Sequence, residues 1–177
     1  MNIFRTGGTI LVLAALLLAP HTRAAAQSDG NAMSDHEFAR YVGRMNLVEM
    51  REAHVALEHS KNETVQRYAK MMLDDHAAAA ADLAKVAGIG TASSPAALST
   101  QQTAEAAALD SISAPAFDRK YMEMQVTEHY KELAIVQSEV ERGSDPVKGF
   151  AVEYLASVQR HLRMAQAVVA NADRYLR

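Results

Sequence analysis

The chain has 177 residues, no cysteine or tryptophan, and a formal net charge of −3. That length suits one ordinary domain, and the acidic balance argues against nucleic acid or an anionic membrane surface as partner. Without cysteine there is no disulfide and no thiol nucleophile, so stability has to come from a packed core, which about 150 residues suffice to build.

Residues 1–26 read MNIFRTGGTILVLAALLLAPHTRAAA. Arg5 gives a basic start. Thr9 to Ala19 is an apolar run too short to span a bilayer, and Ala24-Ala25-Ala26 meets the small-residue cleavage rule. The pattern predicts an export signal cut after Ala26. The competing reading is a retained anchor, but nothing after Arg23 extends the apolar run. Residues 1–26 hold Arg5, Arg23 and no acid, so 16 basic and 21 acidic residues remain and the mature charge is −5. An exported chain without disulfides points to a bacterial periplasm or cell envelope. Residues 27–33, QSDGNAM, form a polar tether, and 34–177 form the folded domain.

Ser34-Asp35-His36-Glu37 is a capping box that opens a first helix. Its apolar stripe runs Phe38, Val42, Met45, Val48 or Glu49, Glu52, Val55 and Ala56, ending near Ser60-Lys61-Asn62. Asn62 caps a second helix with stripe Val65, Tyr68, Ala69, Met72, His76, Ala80, Leu83 and Val86, stopped by Gly88 and Gly90. Residues 88–99 carry turn chemistry. A short helix follows from about Thr100 to Ser111, with Leu109 and Ile112 as its apolar contacts. Pro115 restarts the chain in the first turn of a third long helix, with stripe Phe117, Tyr121, Met122, Val126, His129, Leu133, Val136 and Val140 and a stop at Gly143. Ser144 caps the last helix, whose stripe is Val147, Phe150, Tyr154, Val158, His161, Ala165, Val168 and Ala172. Nothing alternates with period two. The expected fold is all-α: a four-helix bundle with two tight turns and a long crossover carrying a short extra helix, the connection of ferritin-like folds.

Three histidines interrupt these stripes at core positions, His76, His129 and His161, and Glu49 takes the equivalent place on the first helix with Glu52 one turn on. Counted from the two turns, and at about 1.5 Å per residue, all four fall near the middle of the bundle. Burying one unpaired polar group costs about 1–3 kcal/mol, so four at one level need a joint explanation. One is a transition-metal ion (Zn, Cu, Fe or Ni) held by Glu49, His76, His129 and His161. The other is a closed hydrogen-bond network with Glu49 charged and a histidine protonated beside it. Asp75 and Glu128 lie about 100° off their histidines and read chiefly as solvated. His54 and Arg51 read as surface, His59 as a turn residue and His36 as a cap residue. No Glu-x-x-His occurs, which argues against a di-iron oxidase. The methionines, including Met45, Met72, Met122 and Met164, read as core filler. MLDDH at 72–76 and QVTEH at 125–129 form a weak internal repeat.

The blocks VQRYAKMMLDDH, FDRKYMEMQVTEH and HLRMAQ resemble a family of exported bacterial proteins known as the domain of unknown function numbered 4142, whose members are often labelled predicted outer-membrane proteins and grouped with ferritin-like bundles. The resemblance covers about residues 36–172. Its pattern falls on Glu49, His76, Phe117, Asp118, Tyr121, His129 and His161. At Glu52 the family carries an aliphatic residue. The resemblance implies the fold and export, and brings no activity with it.

The expected protein is therefore an exported, non-enzymatic helical bundle, metal-binding or envelope-stress related. The alternative is a metal-free structural or interaction module. No transmembrane span is expected after signal cleavage. An envelope protein or a second copy of the chain is the expected partner class.

Overall fold

The computed structural model describes residues 33–86, 98–113 and 116–176. The expected export signal, residues 27–32 of the tether, the stops at Gly88 and Gly90, and Pro115 lie outside them. The described residues form six helices and no strand: α1 (Asp35–His59), α2 (Glu63–Leu83), α3 (Thr100–Asp110), α4 (Ala116–Arg142), α5 (Asp145–Ala170) and α6 (Ala172–Tyr175). No helix among them is long and apolar enough to cross a membrane.

The caps explain most boundaries. Glu37 N–H donates to Ser34 Oγ (3.3 Å) while Ser34 N–H donates to Glu37 Oε2 (2.8 Å), closing the predicted box. The Asn62 carboxamide oxygen accepts from Thr64 and Val65. Ser99 and Gln102 form a second capping box that starts α3. Ser144 departs from expectation. It holds the N-cap position of α5 but its side chain makes no cap bond, and its backbone N–H donates to Asp35 Oδ1 on α1 (3.3 Å). The last helix also breaks, at Asn171, whose side chain donates to the Ala167 carbonyl (2.8 Å) and whose φ of −120° is not helical. A carboxamide competing for local carbonyls is a common way to end a helix.

The main helix contacts pair α1 with α2, α2 with α5, α5 with α4 and α4 with α1. Asp35 at the start of α1 meets Glu139 in the last turns of α4, and His59 at the end of α1 stacks on Phe117 at the start of α4 (5.3 Å). Leu83 at the end of α2 packs among Phe38, Val147 and Phe150, whereas Phe117 packs among Ala56, Val65 and Val168. Leu83 and Phe117 thus lie in different clusters of the core. Between them in sequence, α3 lies against α1, and Asp110 pairs with His59 (2.8 Å).

The core is two apolar clusters with a polar layer between them. Phe38, Val42, Leu83, Val136, Phe150 and Val158 belong to one cluster. Val55, Met72, Tyr121, Met122 and Ala165 belong to the other. Asn46, Glu49, Glu52, His76, Gln125, His129, Glu132 and His161 sit between them, each 2 % exposed or less.

Candidate metal centre

The polar layer brings the three histidines together. One nitrogen of each lies within 4.8 Å of one nitrogen of both others. Their ring centroids are 5.2 Å (His129–His161), 5.3 Å (His76–His161) and 5.8 Å (His76–His129) apart. His129 Nε2 and His161 Nδ1 approach to 3.2 Å.

The outer nitrogen of each ring faces an acceptor. His76 Nδ1 is 2.9 Å from Asn46 Oδ1, His129 Nδ1 is 3.0 Å from the Gln125 carbonyl, and His161 Nε2 is 2.8 Å from Asp75 Oδ2. An acceptor demands an N–H, and a neutral imidazole has only one. The nitrogens left without a proton are thus Nε2 of His76, Nε2 of His129 and Nδ1 of His161. His76 Nε2 has no hydrogen-bond partner. Between His129 and His161 two lone pairs face each other, and three hydrogen bonds would have to share two protons.

A third proton is disfavoured. Burial lowers His76 well below the ordinary imidazole range, helped by its two histidine neighbours, and lowers His129 to about 3. Burial also lowers His161 against the opposing pull of Asp75. Burial raises Asp75, but its bonds to His161 and Arg160 outweigh that and leave it below the usual carboxylate range, hence ionised. The arrangement presents three imidazole lone pairs, each ring held from behind by an acceptor. That is how ligating histidines are commonly oriented. An ion with N ligands at about 2.0–2.1 Å in tetrahedral geometry holds them roughly 3.3 Å apart, close to the His129–His161 spacing.

Glu49 is buried but stands apart from this trio. Its Oε1 is 3.8 Å from His129 Nδ1, the nitrogen on the far side of that ring, so it approaches the trio from outside. It groups instead with His129 and Glu132, and with Glu52 and Glu128. Burial first, then Glu52, Glu128 and Glu132, raise Glu49 well above the ordinary range. Glu52 is pushed up to about 9 by burial and Glu128, and Glu132 to about 7 by burial despite the donation from Tyr154 (2.7 Å).

A model of the family Domain of unknown function (DUF4142) matches residues 19–168. The chain belongs to that family. A solved structure described as a crystal structure of a DUF305 fragment from Deinococcus radiodurans superposes with a TM-score of 0.66 at 16 % identity, covering 77 % of this chain and 95 % of that one. At that identity the likeness concerns the fold alone. No curated protein matches the chain.

Several residues of this DUF4142 chain carry more of the layer than their sequence positions suggested. Asp75 is not simply solvated, since it bridges His161 and Arg160. Glu128 is half-buried beside Glu52 rather than solvated. Asn46, Gln125 and Glu132 are all buried and were absent from the apolar stripes. The signal was present, because 125, 129, 132 and 136 follow helical spacing, but the residues at 125 and 132 are polar. Gln125 donates to Glu52 (3.1 Å), and Tyr68 donates toward Gln125 and the His161 carbonyl. Phe117 and Tyr121 are fully buried, whereas Met164 is exposed at 41 % and fills no core. A cleft of about 140 Å³ between α2 and α5, lined by Asp75, Asp82, Glu153 and Tyr154, ends beside the trio.

Proposed function

We propose that this chain is an exported, envelope-located four-helix bundle of ferritin-like connection, and that it holds one transition-metal ion on His76, His129 and His161. The ring of contacts among the long helices, and the different core clusters in which α2 ends and α4 begins, support the fold assignment. The observation that carries the metal reading is the proton shortfall between His129 and His161, with His76 Nε2 unpartnered beside them. A cation accepts all three lone pairs at once. Three neutral imidazoles suit Zn, Cu, Ni or Fe. Glu49 is left to the electrostatics around His129 rather than to the ion's first coordination.

The role is binding rather than turnover, since His76, His129 and His161 are at most 1 % exposed. Partners in that compartment would be envelope proteins or a second copy of the chain. The competing reading, a metal-free module, is favoured by the partner that every outer ring nitrogen already has, but it needs an imidazolium where burial opposes one.

Elemental analysis of protein exported from the full-length chain and purified untagged tests this. We expect near-stoichiometric metal that disappears in His76→Ala/His129→Ala. A metal-free wild type, even after incubation with each ion, would leave the histidines as hydrogen-bonding core groups.

A further inference from the structure

Beyond the histidine trio, we propose that Glu49, Glu52 and Glu128 form a second cation site that takes one divalent ion preferring oxygen donors. One carboxylate oxygen of each lies within 4.8 Å of the others. They come from α1 and α4, with Glu49 and Glu52 a helical turn apart on one face.

Crowded carboxylates alone would not make a site. Glu52 accepts from Gln125, so the deciding features are the buried atoms around it that have no hydrogen-bond partner. Glu49 is 0 % exposed, and neither of its oxygens has a hydrogen-bond partner. The Tyr121 hydroxyl, on a side chain also 0 % exposed, is unpartnered as well, and it feels the charges of Glu49, Glu52 and Glu128. Glu128 Oε2 lacks a partner too. A buried polar group without a partner is costly, and a buried unpaired charge more so.

Protons are the other way to neutralise the group, and they serve Glu49 poorly. Glu52 and Glu128 can share one proton between them, which still leaves both oxygens of Glu49 bare. A cation engages bare oxygens directly and needs no acceptor. Of the two nitrogens beside the group, Gln125 Nε2 (3.1 Å from Glu52 Oε2) is an amide nitrogen and no ligand, and His129 Nδ1 has its N–H committed to the Gln125 carbonyl, so the ligand atoms are oxygens only, the preference of ions such as Mn²⁺, Ca²⁺ and Mg²⁺. Glu128 is only half-buried and exposed Glu105 on α3 acts on both Glu52 and Glu128, so the approach to the site is acidic.

The test is Mn²⁺ binding to chelator-stripped protein, followed by the electron paramagnetic resonance of the free ion, in wild type, Glu49→Gln, Glu128→Gln and His76→Ala, each first checked for helicity. We expect one saturable equivalent in wild type and in His76→Ala, displaced by excess Ca²⁺, and its loss in both glutamine variants. No saturable Mn²⁺ in wild type, or retention in a folded glutamine variant, overturns the proposal. If Glu49→Gln does not fold, Glu128→Gln, at a half-buried position, decides. Zn²⁺ stoichiometry in the same samples reports the trio separately, so either site can fail alone.

Discussion

Asp75 stands 2.8 Å from His161 Nε2 and so dictates which nitrogen of that ring faces its neighbours. Removing it frees the tautomer and lowers the basicity of Nδ1. If the trio holds a metal as proposed, Asp75→Ala is expected to weaken its binding by about 10–100-fold, the usual cost of losing such a partner, while leaving the helical circular dichroism unchanged; a competitive Zn²⁺ titration measures it. This residue also marks where sequence reading stops. The histidines were legible because each replaces an apolar residue three or four places from others on one helix. Asp75 reaches across the seam from α2 to α5, a contact that no projection of a single helix contains. Asn46, Gln125 and Glu132 were hidden for another reason. A search for apolar stripes passes over polar residues that occupy the same inward line, and α4 buries Gln125, His129, Glu132 and Glu139 along one side.

Among the elements, two glycines make opposite demands. Gly143 follows α4, and a Cβ there would sit 2.8 Å from the Glu139 carbonyl oxygen, a backbone atom with little freedom to move. Gly143→Ala should destabilise the protein by about 1–3 kcal/mol, as overpacked sites do. Gly149 is an exposed helical residue of α5 whose added Cβ would meet nothing within 4 Å. Gly149→Ala should stabilise by about 0.5–1 kcal/mol through helix propensity alone. Urea midpoints of the two variants beside wild type give both signs in one experiment. Helix starts were well marked in the sequence at Ser34 and Asn62, because side-chain capping is local chemistry. Ser144 misled for the complementary reason, since its partner, Asp35, is 109 residues away.

At the scale of the whole molecule, the polar layer sets how stability follows pH in metal-stripped protein. Glu132 and Glu52 have folded pKa values raised to about 7 and about 9 from an ordinary 4.5. Their favourable contribution is full below 4.5 and is lost as pH rises through those values. His129 is lowered to about 3 from 6.5, so its contribution is full above 6.5 and is lost as pH falls toward 3. Stripped protein should therefore be most stable at about pH 4.5–6.5 and clearly weaker at pH 9. Glu132→Gln should remove part of the alkaline loss, at most about 3 kcal/mol for a shift of that size. Urea unfolding at pH 6 and pH 9 checks this, and equal midpoints would contradict it.

The same layer has a consequence for how the helices find their alignment. Sliding one long helix by a turn, about 5.4 Å, would carry an imidazole or carboxylate into one of the two apolar clusters and an aliphatic side chain into the gap. An all-apolar interior would forgive such a slip at modest cost. Here each slip strands a polar group without its counterpart on the neighbouring helix, so the layer acts as a set of registration marks. Groups that weaken the fold energetically thereby leave it one way to assemble.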